Sequence, residues 1–141
     1  MRTSTSAQLR AVIGARIGFL VAAFVAVLAL AACAGSGLGF DTAPASLDPN
    51  SPKLLANNIA FDSADIDIPA NRAFILVLEN AENVGHNVSI YSDAGYQTRL
   101  FEGVMFSGPA TRWYPVPALG VGTWVFRCDV HPDMNGRLHA S

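Results

Sequence analysis

The chain has 141 residues, of which 51% are hydrophobic and 14% charged, and its formal net charge is −2. That length suits a single domain, and the acidic balance argues against nucleic acid as a partner, whose binding depends on basic surface. Two cysteines, Cys33 and Cys128, are too few for a disulfide scaffold.

The hydrophobic excess is local. Ile17 to Ala32 reads IGFLVAAFVAVLALAA without a charge, preceded by Arg2, Arg10 and Arg16. Basic residues, an apolar run and then small residues describe a signal sequence over residues 1–32. The run is shorter than the roughly 20 apolar residues of a typical spanning helix, so an uncleaved anchor is the alternative reading. It ends LAAC, Leu30 to Cys33, which resembles the lipobox of bacterial lipoproteins. That resemblance implies that Cys33 is lipidated and becomes the mature N-terminus, anchoring the protein outside the cytoplasm. The mature chain then keeps six basic and eleven acidic residues, a charge of −5, which mildly favours a basic protein partner. Cys128 is left as the one thiol, and a metal is the natural occupant for it.

Residues 33–53, CAGSGLGFDTAPASLDPNSPK, are rich in Gly, Ala, Ser, Pro and Asp and read as a flexible tether. From Leu54 to the C-terminus the chain turns to short apolar stretches. NNIAFD alternates at Ile59 and Phe61, and ADIDIP at Ile66 and Ile68. FILVLEN, from Phe74, is a continuous apolar run suited to a central strand buried on both faces. HNVSIY, from His86, alternates again. TRWYPV, from Thr111, carries Pro115 and belongs at an edge. GTWVFRC, from Gly122, is the most strand-like segment, and GRLHA closes the chain. About seven to eight short strands without a helical stripe imply a small antiparallel all-β sandwich.

Strand phase decides where the polar residues point. His86 shares a face with Val88 and Ile90, and Cys128 shares one with Trp124 and Phe126. Both lie at the ends of core-facing rows, where a polar group needs a partner. CDVHPDM then adds His131 and Met134 in a tight loop stiffened by Pro132, and Asn135-Gly136 turns the chain into its last strand. Two His and one Cys with a weak axial Met form the ligand set of a blue-copper electron-transfer site. Structural zinc, by contrast, favours additional thiolates over a thioether.

Residues 54–141 resemble the cupredoxins, the small blue copper proteins that include plastocyanin, azurin and amicyanin. The C-x-x-H-x-x-M spacing of Cys128, His131 and Met134 is similar to amicyanin's short ligand loop, and the flanking strands sit where the family has its last two. The resemblance implies a Greek-key β-sandwich holding one type 1 copper on His86, Cys128, His131 and Met134. It further implies that Asn87 ties the two ligand segments together, and that the Gly85 carbonyl can approach copper opposite Met134, as in azurin-like members. Gly85 is the feature that departs from plastocyanin and amicyanin, which carry Pro there.

The function so implied is single-electron carriage by a membrane-tethered monomer. Its partners would be redox proteins at the membrane: an oxidase, a reductase, or a photosynthetic or respiratory complex. Copper delivery, as a chaperone or reservoir for an extracytoplasmic cuproenzyme, is the alternative. The chain has only three methionines, Met1 among them, and lacks the Met/His cluster such proteins favour. Cys128 as an enzymatic nucleophile lacks an orienting partner or oxyanion motif. The remaining candidates have ordinary readings: His139 as a surface or edge residue, Met105 in core or loop packing, and Trp113 and Trp124 in the core.

Overall fold

The computed structural model describes residues 39–141; the signal segment, Cys33 and the first part of the tether lie outside them. Among the described residues there is no helix, and eleven short strands carry the fold. In chain order these are β1 (Lys53–Asn57), β2 (Ala60–Phe61), β3 (Asp65–Ile68), β4 (Phe74–Asn80), β5 (Gly85–His86) and β6 (Ser89–Tyr91). They continue with β7 (Arg99–Glu102), β8 (Phe106–Ser107), β9 (Ala110–Val116), β10 (Gly122–Arg127) and β11 (Asn135–Ala140). One sheet has the order β2-β1-β4-β9, a second β3-β11-β10-β6-β7, and β5 pairs with β8 alone.

The architecture is an all-β sandwich, and period-two burial builds it. Leu54 and Ala56 of β1, Ile66 and Ile68 of β3, and Leu138 and Ala140 of β11 are buried between exposed or half-buried neighbours. They join Leu76, Leu78, Tyr114, Ile90, Phe101 and Phe126 in one core cluster. Two aromatic pairs cross between the sheets: Phe61 with Phe126, ring centroids 5.5 Å apart, and Phe101 with Tyr114 at 6.0 Å. Such tilted and edge-on pairs add to the stabilisation from burial itself. Tyr114 is wholly buried, and burial pushes its phenol pKa up; its hydroxyl donates to the Val104 carbonyl at 2.7 Å.

β4 is central, as its apolar run implies, and β9 with Pro115 lies at a sheet edge. Five other expectations are corrected. The sandwich is mixed rather than purely antiparallel, because β1 pairs parallel with β4 and β3 with β11. HNVSIY is not one strand: His86 pairs with Phe106 of β8, whereas Ser89 onward pairs with β10, so the chain changes sheets at Asn87 and Val88. Trp113 and Trp124 are half-buried, with Trp124 packed against the core's margin. Ile59 lies in a turn rather than a strand. Within the stretch read as tether, Phe40 exchanges both backbone hydrogen bonds with Trp113, Asp41 pairs with Arg112, and Lys53 already belongs to β1.

Two backbone positions limit the sequence. In β11, Gly136 lies opposite Phe126, and a Cβ there would meet the Phe126 ring at 2.5 Å and press on the Ala64 carbonyl. The ring occupies the space a side chain would need. At the β1–β2 hairpin, Asn57 pairs with Ala60, and the two linking residues, Asn58 and Ile59, have φ of 55° and 53°. Two left-handed residues make a type I′ turn, which favours Asn and Gly. Ile59 is β-branched, strained there and 52% exposed.

Gly136→Ala is therefore expected to lower the unfolding free energy by about 1–3 kcal/mol through overpacking. Ile59→Gly should raise it by up to about 1 kcal/mol, since relief of left-handed strain exceeds the entropy glycine adds to the unfolded chain. Urea unfolding of both variants checks these signs.

Candidate metal centre

Three segments meet at one end of the sandwich. His86 ends β5, Cys128 directly follows β10, and the 128–134 loop returns into β11. Within that loop the Cys128 amide donates to the Met134 carbonyl at 2.9 Å, and the Met134 amide to the His131 carbonyl at 2.9 Å. The loop is thus closed by its own backbone, and Asn135 caps it by donating to the Pro132 and Asp133 carbonyls at 2.9 and 3.2 Å. Five residues lie between Cys128 and Met134, and this closure presents both sulfur-bearing residues at one place.

The side chains converge at this end of the sandwich. His86 and Cys128 have no exposed surface, Met134 has 2%, and Cys128 and Met134 both belong to the core cluster. His131 is half-buried. Cys128 Sγ lies 3.8 Å from His86 Nδ1 and 3.6 Å from His131 Nδ1. The two imidazoles are 4.8 Å apart between centroids, and one donor atom from each of the three residues lies within 4.8 Å of the others.

These distances suit a shared cation better than direct contacts. A metal about 2.1 Å from nitrogen and about 2.3 Å from sulfur, with an angle near 120° between them, separates S and N by about 3.8 Å. A buried thiol facing two imidazole nitrogens has no strong hydrogen bond to make. The donor set therefore fits a metal, and its mixture of one thiolate, two imidazoles and a neighbouring thioether suits copper.

His86 is oriented from behind. Its Nε2 lies 3.3 Å from Glu82 Oε1, an alignment too poor for a full hydrogen bond, so the nitrogen is otherwise unpartnered. Glu82 is itself fixed: Oε1 accepts the Ile59 amide at 2.9 Å, and its own amide donates to Asn80 Oδ1 at 2.9 Å. The strained Asn58–Ile59 turn thus holds the carboxylate that faces a candidate ligand. Carboxylates behind metal-binding histidines fix the ring's tautomer and orientation. Burial and then the adjacent His131 lower the His86 pKa, and Glu82 opposes them. The ring is neutral at neutral pH, the form that binds a metal.

Asn87 bridges to the segment that follows Cys128 by hydrogen bonds to Asp129. Its Oδ1 accepts the Asp129 amide at 2.9 Å, and its Nδ2 donates to the Gly103 carbonyl at 3.0 Å and to Asp129 Oδ2 at 2.7 Å. Gly85 pairs with Ser107 in β5–β8, and a Cβ on it would meet Met105 Sδ at 3.2 Å. Met105 is 41% exposed, so it covers Gly85 from the surface and is no core residue. His139 lies away from the cluster, with Nε2 2.8 Å from Asp65 on the exposed face of β11.

Sequence reasoning did not single out Glu82 or Asp129. Asp129 carries a signal only once the β6–β10 pairing is known. Arg127 opposite Ser89 places Asp129 opposite Asn87 two residues on. Burial pushes the Asp129 carboxyl up, but hydrogen bonds from Ser89, Asn87 and Tyr91 and the charge of Arg99 hold its pKa below the ordinary carboxylate value.

The His86 shift has a sign that can be measured. Its pKa in the folded, metal-free protein lies below the ordinary 6.5, so on acidification the unfolded chain takes the proton first. Stability from this group is complete above about pH 6.5 and falls as pH drops toward the folded-state value. Urea midpoints of chelator-treated protein should decline below that pH, and the part due to this ring should vanish in His86→Gln.

No protein-family model and no curated protein matches the sequence. Solved structures do. Auracyanin from the photosynthetic bacterium Roseiflexus castenholzii matches with a TM-score of 0.56 and 16% identity over 64% of this chain and 96% of that one. Auracyanin A, a "blue" copper protein from Chloroflexus aurantiacus, gives 0.56 and 17% over 64% and 98%. Amicyanin from Paracoccus versutus gives 0.53 and 18% over 69% and 87%. At these identities the likeness concerns the fold: the described chain is similar in architecture to blue copper proteins.

Proposed function

We propose that this protein is a type 1 copper protein that carries single electrons between redox partners outside the cytoplasm. The observation that carries the reading is the convergence of His86, Cys128 and His131, donor atoms within 4.8 Å, beside buried Met134. The sandwich around them is one that blue copper proteins share. His86 Nδ1, Cys128 Sγ and His131 Nδ1 would hold the metal, with the Met134 thioether as a further, weaker donor. Copper supplies the one-electron couple, Cu(II)/Cu(I).

The chain's own residues supply the rest. Cu(II) and Cu(I) favour different geometries, so fast transfer needs ligands that move little. His86 is held between Glu82 and the core, and Cys128 and Met134 are locked by the loop's backbone bonds. Burial of the thiol excludes water from the most oxidisable atom. His131 is the ligand nearest solvent, and the residues beside the ligands are apolar and exposed: Val84 (38%), Met105 (41%) and Val130 (51%). Apolar surface of this kind suits brief docking of a partner, with His131 as the electron's exit. Deep burial of three of the four donors opposes ready release of the metal, which weighs against the chaperone reading.

Location rests on the N-terminal sequence. The basic and apolar segment ending LAAC supports cleavage before Cys33 and attachment of the mature chain to the membrane by lipid. In this arrangement the residues between Cys33 and Phe40 link the anchored cysteine to the sandwich, which exchanges electrons with membrane redox proteins as a monomer. The Gly85 carbonyl, directly before His86, is a further candidate contact to the metal.

Adding Cu(II) to the full chain should produce intense visible absorption from thiolate-to-copper charge transfer, and Cys128→Ser should abolish it. A colourless protein that prefers zinc would overturn the reading.

A further inference from the structure

Cys128 is followed by a carboxylate that has no place in the ligand set. Asp129 Oδ2 accepts from Ser89 Oγ at 2.6 Å and from Asn87 Nδ2 at 2.7 Å, and Oδ1 accepts from the Tyr91 hydroxyl at 2.7 Å. Its amide donates to Asn87 Oδ1 at 2.9 Å. Arg99 Nη1 stands 3.7 Å away, but it is half-exposed and shared with Glu102 at 3.1 Å. Ser89, Asn87 and Tyr91 are buried, at 0%, 2% and 4% exposure.

All three side-chain neighbours donate and none accepts, the pattern an ionised carboxylate requires. Asn87, Ser89 and Tyr91 alternate along the chain, so a single side chain grips three alternate positions that begin directly after His86. Its backbone is continuous with Cys128 and its carboxylate is bound to the segment that leaves His86. Both sides of the donor cluster therefore meet at Asp129. The arrangement also sets a fixed negative charge one residue from the thiolate, with Arg99 as its partly screened counter-charge.

We propose that Asp129 is a positioning residue of the metal centre. It clamps Cys128 against the His86 segment and, by its charge, favours the more positive oxidation state of the bound metal. The inference rests on the reading of the centre as a copper site. Its electrostatic part follows from Coulomb attraction, which is less attenuated inside a protein than in water. Its mechanical part follows from the cost of leaving buried hydroxyls without an acceptor.

The two parts separate in the full chain. Asp129→Asn keeps the side chain's shape and one acceptor oxygen while removing the charge, and should shift the reduction potential of the copper-loaded protein upward with its visible band retained. Arg99→Gln removes the opposing charge at a half-exposed position and should shift the potential downward. Asp129→Ala should lower the thermal midpoint of chelator-treated protein, a readout that needs no metal. Opposite shifts in the two charge variants support the role. Potentials that stay unchanged, or move in the same direction, overturn it while the wild-type colour leaves the copper reading intact. An Asp129→Ala midpoint equal to wild type overturns the clamp. A wild-type chain that gives no blue copper overturns the reading on which the inference rests.

Discussion

The structure depends on the placement of one buried thiol between two imidazole nitrogens. Cys128 Sγ is fully buried and faces two imidazole nitrogens at 3.6 and 3.8 Å, too far for strong hydrogen bonds and suited to a shared cation. Every nearby feature serves that placement. β10 delivers the cysteine on the core-facing row, the loop closes by backbone bonds to return Met134, and β5 brings His86 in on a separate short pairing with β8. The centre is thus anchored in the hydrophobic core, and its stiffness follows from the sandwich's packing.

Carboxylates support this cluster from two sides. Glu82 stands behind His86 and is held by the amide of a strained turn. Asp129 stands beside Cys128 and is held by three donors from the segment 87–91. Neither is among the candidate ligands, yet each fixes one. Local strain at Ile59 is offset elsewhere in the fold, the pattern expected where geometry at a working site takes precedence over turn propensity.

The site was more legible in the sequence than the sheet around it. The phase of GTWVFRC put Cys128 on the row of Phe126, and both are wholly buried. Cys, His and Met at three-residue spacing lie in one tight loop, so local chain geometry alone brings them close. The sandwich class was legible from alternation at Ile66 and Ile68. The parallel pairings of β1 with β4 and β3 with β11 were not, because they join distant segments and leave no local pattern. β1 itself was hidden: Leu54 and Ala56 alternate, but they follow directly on a Pro- and Ser-rich stretch. HNVSIY misled for another reason. All six residues are buried, so alternation at His86, Val88 and Ile90 gave no sign that the chain changes sheets between them. Trp113 and Trp124 show that size and apolarity do not by themselves place a residue inside.

As a type 1 copper centre, these donors would hold one metal in a geometry the protein imposes on both oxidation states. X-ray absorption of the copper-loaded full chain, recorded oxidised and then reduced, tests it directly. One sulfur and two nitrogen neighbours at short distance, hardly changed between the two states, are the expected result. A tetragonal shell of nitrogen and oxygen without sulfur, or ligand distances that change markedly on reduction, would contradict it.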